Sequence, residues 1–391
     1  MFAPVRALLA PRSHASTGVL AAAGVVAAAF TATPFLIIDL SVELGVTLGT
    51  AGLISTFQVG GFAATNFLAG RLLRPRANLH RASLIGVGFA YALSAASDLF
   101  WLILVAQAGA GIGLGLLTWL SWAEATRHRL GLTDVAAVGP LTATVGAPVL
   151  GLVAEVVGFR GIFALLAVVA LVTLAVDARY GDLPVIGRNV SDSRTNRMLL
   201  AALFTITLSG SAVFVFAASA GSEVAGLSPA VVSIAYSLNA LVGFVATRFP
   251  ARRVTAGLWL FAGAVCAAAV GTVRSGAIFV LAMTFWGFGF WMGIPAVFRL
   301  LAERSLSPAE RVGDAQSLMA LGRVFGPLLG GLILGAGAFA MLSVAGAVGL
   351  GLGSLIVLVV ELARRRVLAS GPDLTGTALP GSPPSGELDQ S

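Results

Sequence analysis

Residues 142–152 read TATVGAPVLGL and residues 321–331 read LGRVFGPLLGG. Each is an apolar phrase built around glycine and proline, and laying Pro148 on Pro327 sets an offset of 179 residues (148 to 327). The same offset carries Glu124 onto Glu303 and, within one residue, Asp134 onto Asp314. It also places the apolar run that begins near Gly18 on another that begins near Met198. A phrase repeated at about half the chain length, with apolar runs repeated around it, implies two parallel halves.

Composition sets the solvent. The chain of 391 residues is 58% hydrophobic and 10% charged, with a mean hydropathy of +0.96. Ordinary soluble domains carry about a quarter charged residues, so this chain lacks the charge to cover itself in water. Lipid is the expected surroundings. The net charge of +7 comes from arginine alone, because the chain has no lysine. Those arginines fall between apolar runs, which points to membrane topology and away from a nucleic-acid partner. The single cysteine, Cys266, has no partner for an intrachain disulfide, and no Cys/His cluster suggests a metal.

Apolar runs of roughly 20 residues cross a bilayer as helices. Twelve are expected, at 18–38, 48–70, 82–97, 100–122, 135–157, 161–177, 198–220, 229–247, 254–272, 276–298, 315–336 and 338–361. With both termini placed in the cytoplasm, 21 of the 24 arginines fall in inner segments. Only Arg160 and Arg274 lie outside, and Arg323 lies inside a span. Such alternation follows the positive-inside rule and supports the span count. Arg6 and Arg12 ahead of the first run imitate a secretory signal, but cleavage there would unpair the first span from the seventh.

The expected architecture is all-helical: twelve transmembrane helices in two six-helix bundles related by a pseudo-two-fold axis. Residues 1–177 form the first bundle, 178–197 a cytoplasmic central loop, 198–366 the second bundle, and 367–391 a disordered polar tail.

Two such halves with glycine–proline phrases in spans five and eleven resemble the major facilitator superfamily, over the chain up to about residue 366. The family's fifth-span motif, Gly-Pro-x-x-Gly-Gly followed by Gly-Trp-Arg and a Phe, is approached by Gly146-Ala147-Pro148-Val149-Leu150-Gly151, then Gly158-Phe159-Arg160 and Phe163. The second half keeps Gly326-Pro327-Leu328-Leu329-Gly330-Gly331. In the family this motif accompanies antiporters and exporters, which implies efflux. The resemblance also implies an inner-face charge network, with Glu124 as its acid and Arg71 or Arg74 as its partner. Glu303 is the repeat equivalent. The family's loop between spans two and three normally carries an Asp, and Gly70-Arg71-Leu72-Leu73-Arg74-Pro75-Arg76 has none. The Arg that usually precedes a Gln-Gly pair in span four is also missing from Val105-Ala106-Gln107-Ala108-Gly109.

An ionisable residue inside a span is costly and marks a functional candidate. Arg323 is the one well inside. It either binds an anionic solute group, or pairs with a carboxylate during transport, or bonds carbonyls as a structural residue. Gln107, Asn239 and Trp286 complete the cavity candidates; the amides are equally able to bond neighbouring helices. Trp286 belongs to an aromatic span ten with Phe285, Phe288, Phe290 and Trp291, whereas Trp119 and Trp122 read as an interfacial belt. Aromatic walls with little charge suit a flat or amphipathic organic solute. No deep carboxylate offers itself as a proton carrier.

The resemblance therefore implies a monomeric secondary transporter of a bacterial inner membrane, using alternating access and protons to export a moderately hydrophobic compound. Uptake by the same fold, or a non-transporting sensor or scaffold, are the alternatives. No cofactor is expected, and without lysine there is no phosphate-binding loop for direct ATP use. No acid–base pair or nucleophile constellation suggests an enzyme.

Overall fold

The structure is a computed structural model that describes residues 16–73, 76–125, 129–178, 194–246, 248–249, 255–303 and 308–369. Every regular element among them is helical. In chain order these are α1 (Thr17–Glu43), α2 (Leu48–Ala51), α3 (Leu53–Leu72), α4 (Ala77–Ala96), α5 (Phe100–Ala125), α6 (Arg129–Thr173) and α7 (Arg194–Phe214). They continue with α8 (Ala217–Glu223), α9 (Pro229–Ala246), α10 (Ala256–Thr272), α11 (Gly276–Ala302), α12 (Pro308–Ala336) and α13 (Phe339–Ala369).

Eight helices among the described residues are long and apolar enough to cross a membrane: α1, α5, α6, α7 with α8, α9, α11, α12 and α13. The helix α10 is apolar but shorter. The 45 residues of α6 are two helices that meet at a kink, together long enough at 1.5 Å per residue for two bilayer crossings. The chain leaves helical dihedrals at Gly158, where φ is +70°. That conformation strains any residue with a Cβ, and glycine takes it freely. The two separate spans expected at 135–157 and 161–177 thus meet at this kink.

Other boundaries shift for local reasons. The second expected span opens with the single turn α2, whose third amide (Thr50 N–H) is capped by the Thr47 hydroxyl at 3.1 Å, before α3 begins. The seventh is broken between α7 and α8 near Phe216. Helix α7 begins at Arg194 and α13 continues to Ala369, so both helices run beyond the expected bounds of the central loop and tail. Residues 179–193 of that loop and 370–391 of that tail lie outside the described residues.

Helix α1 packs on α6 and α5, α3 on α5, and α4 on both α5 and α6. Later in the chain, α7 packs on α12 and α13, α9 on α11, and α10 on α11 and α13. These two groups meet through α6 against α9 and through α12 against α3 and α2. The outward faces carry large apolar side chains such as Phe89, Leu152, Val172 and Leu281, all exposed. In water such a surface would drive association; in a bilayer it is the solvated face.

Polar ends are tied off. Glu361, buried on α13, accepts hydrogen bonds from the first amides of α10, Ala256 N–H at 2.8 Å and Gly257 N–H at 3.0 Å. A carboxylate there satisfies orphan donors and complements the positive helix end. Beyond the Gly158 break, Arg160 gathers three helix ends. Its guanidinium donates to Asp98 and to the Ala95 carbonyl at 3.0 Å, and lies 3.9 Å from Glu43. Phe159 and Phe163 beside it are fully buried.

Candidate functional site

A cavity of about 540 Å³ lies between the two helix groups. Its wall is drawn from α1, α3, α5 and α6 on one side and from α7, α9, α11, α12 and α13 on the other. It extends toward the end of the molecule where α1 begins and α5 finishes, with Ala23, Trp122 and Val135 on its wall there.

The opposite end is shut by contacts at glycine-only distance. A Cβ on Gly331 of α12 would sit 2.7 Å from the Gly49 carbonyl oxygen of α2, and a Cβ on Gly52 would strike the Phe216 ring. Small residues let these backbones touch. Further in, a Cβ on Gly151 of α6 would already lie 2.5 Å from the Ser233 Cβ of α9.

The two prolines of the repeated phrase have different partners. Pro148 lacks the N–H that would bond the carbonyl of Thr144, four residues earlier. The hydroxyl of Ser237, on α9, donates to that carbonyl at 2.5 Å. Membrane helices tolerate proline when a neighbouring side chain re-satisfies the freed group. Pro327 frees the Arg323 carbonyl in the same way; the Ser211 hydroxyl of α7 approaches the adjacent Gly322 carbonyl to 3.3 Å while donating to Thr207 of its own helix at 2.6 Å.

Arg323 lines the cavity and is exposed on its wall. Among the described residues it has neither a hydrogen bond nor an ion pair, and no Asp, Glu or His shares the wall. Asn239 also lines the cavity, and its side-chain amide donates to the Met283 carbonyl at 2.7 Å. Gly287 makes room for it, since a Cβ there would fall 2.7 Å from the Asn239 side chain. Trp286 lines the wall edge-on to Phe214, 5.7 Å between ring centres. Phe214 in turn meets Tyr236, whose hydroxyl donates to the Phe214 carbonyl at 2.8 Å. Tyr236 also touches Phe35 of α1 at 5.4 Å, so the aromatic wall bridges the two helix groups.

Gln107 lies elsewhere. It is buried within the first helix group, donating to Ser94 Oγ at 3.0 Å and accepting from Gln58 Nε2 at 3.2 Å. Gln58 also donates to the Tyr91 hydroxyl at 2.7 Å and accepts from Thr33 at 3.3 Å. This closed network binds α1, α3, α4 and α5 together, and only Thr33 of it reaches the cavity wall. Of the aromatic span, Phe290 and Trp291 join Trp286 on the wall. Phe285 faces outward, and Phe288 packs on Trp259 at 5.2 Å. Trp122, read from sequence as interfacial, lines the cavity.

Glu303 sits between two arginines of its own group, Arg299 at 2.8 Å and Arg364 at 2.5 Å. Glu124 closes α5, while Arg74 and the Arg71 side chain lie outside the described residues. Asp39, on α1, stands at the end of the first expected span. One of its carboxylate oxygens is buried without a hydrogen-bond partner.

The sequence profile of the Major Facilitator Superfamily matches residues 19–330. The chain belongs to that superfamily. No curated protein sequence matches it. Solved structures of other superfamily-type transporters share the fold at low identity. The POT family transporter PepTSo superposes with a TM-score of 0.71 at 10% identity, covering 90% of this chain and 98% of that one. A bacterial homolog of the human lysosomal transporter Spinster, solved inward-facing and occupied, gives 0.65 at 15%, covering 95% and 100%. The human organic anion transporter MFSD10 gives 0.63 at 18%, covering 87% and 98%. This superfamily chain is therefore a multi-pass membrane protein with the fold of secondary transporters.

Proposed function

We propose that the protein exports a small, moderately hydrophobic organic solute across a bacterial inner membrane by alternating access, driven by the proton gradient. The observation that carries this reading is the central cavity itself. Its wall is shared by two helix groups that close over one end through small residues, and its volume is in the range that encloses a drug-sized molecule. Twelve spans are counted by taking α6 as two crossings and adding α3, α4 and α10 to the long apolar helices. The parallel pairing of helices in residues 1–177 and 198–366 supports two bundles that rock about the cavity, with both termini cytoplasmic by the arginine pattern.

Export is supported by the glycine–proline phrases. The proton is assigned to Asp39, since no titratable carboxylate or imidazole lines the wall among the described residues and this carboxylate has an unpartnered buried oxygen. Everted vesicles carrying a respiration-generated pH gradient test the reading. A lipophilic compound is expected to collapse the gradient only when the chain is present, and Asp39→Asn to abolish the response. A panel that moves no protons while a control exporter does would contradict export by proton exchange.

A further inference from the structure

Resting on the transport reading, we infer that the solute is an amphipathic organic monoanion whose negative group is received by Arg323. Four observations meet on this. Arg323 is a permanent cation at the depth of a span, on the cavity wall. Among the described residues no carboxylate on that wall balances it and nothing bonds it. The rest of the wall is mostly apolar and aromatic. Six of the neutral hydroxyl and amide donors on the wall are committed. Thr31, Thr33, Thr207, Ser211, Tyr236 and Asn239 each already donate to a carbonyl of the protein.

Among the described residues the guanidinium is thus the wall's one charged donor set, with N–H groups in a fork that matches a carboxylate. In the open state, cavity water solvates it. When the halves close over a solute, that water leaves, and an unpaired charge at membrane depth becomes expensive. A neutral solute of the right shape would strip the water and return nothing. A cationic one would add repulsion. A solute with one anionic end restores the charge balance and leaves its apolar body against Trp286 and Phe290.

The test uses the purified full-length protein and three ligands of one shape: 4-phenylbutyrate, its amide, and 4-phenylbutylammonium. Affinities are measured by titration calorimetry on wild type, Arg323→Gln and Arg323→Lys. Wild type is expected to bind the carboxylate at least about tenfold tighter than the amide, the scale of a charge-assisted contact. The ammonium should bind weakest. Arg323→Gln should lose that preference while still binding the amide, which shows the cavity intact, and Arg323→Lys should keep part of it. Equal or tighter binding of the amide by wild type would overturn the anion assignment and leave transport standing. A preference that survives in Arg323→Gln would overturn the role of Arg323. Binding of none of the three by wild type would count against the anion assignment and the solute cavity together.

Discussion

The two glycine–proline phrases descend from one pattern yet do different jobs. At the 179-residue offset, Ala147 stands on Gly326 and Gly151 on Gly330. In α12, Gly326 and Gly330 seat the helix on α7 of its own group: a Cβ on Gly326 would lie 2.6 Å from the Leu208 carbonyl oxygen, and one on Gly330 2.6 Å from that of Ala212. In α6, Ala147 is buried with its methyl accommodated, Gly146 faces open space, and Gly151 meets α9 of the other group. The prolines divide the same way. The carbonyl freed by Pro148 takes its hydrogen bond from α9, across the interface. Beside Pro327, the hydroxyl that approaches is Ser211 of α7, within the group. The phrase in α12 thus fastens that helix within its own group through Gly326 and Gly330 and reaches α2 of the other group through Gly331, whereas the phrase in α6 reaches the other group through Gly151 and the Thr144 carbonyl.

That contrast predicts unequal costs for alike substitutions. Gly326→Val forces a branched side chain into the α7 backbone and should destabilise the protein by about 1–3 kcal/mol, the usual cost of overpacking. A thermal unfolding midpoint in detergent reads this directly, and a midpoint equal to wild type would break the comparison on the α12 side. Gly146→Ala adds a methyl where nothing stands within 4 Å. It should change stability by no more than about 1 kcal/mol, toward greater stability, because alanine is the better helix former. A large loss there would mean that α6 is packed as tightly as α12.

The offset also explains which candidates the sequence could and could not place. Gln107 and Trp286 occupy equivalent positions, as do Gln58 and Ser237. In the first group, Gln58 and Gln107 find Tyr91 and Ser94 and close a polar network away from solvent. In the second, Tyr91 is answered by Val270, no such partner exists, and Trp286 turns to the cavity. Composition made both look like wall residues; only their neighbours separate them. Helix content and the positions of apolar spans were legible because apolar length and arginine placement are properties of the chain alone. The kink that joins the fifth and sixth expected spans was not, since it depends on Gly158 taking a positive φ while Arg160 anchors the turn to Glu43 and Asp98. Arg323 was legible as a buried-depth cation, but its lack of a counter-charge needed the cavity to be seen. Asp39 was legible as a span-end carboxylate, but its buried, unpartnered oxygen was not.

The account stands on the halves alternately exposing one cavity. The most direct measurement places a single thiol on the wall, Ala320→Cys in a Cys266→Ser background, and applies a membrane-impermeant thiol reagent to each face of sealed vesicles in turn. Alternating access predicts labelling from both faces, faster from the face toward which α1 begins and slower from the face where α2 meets α12. Labelling from one face only, under every condition of pH and solute, would contradict it.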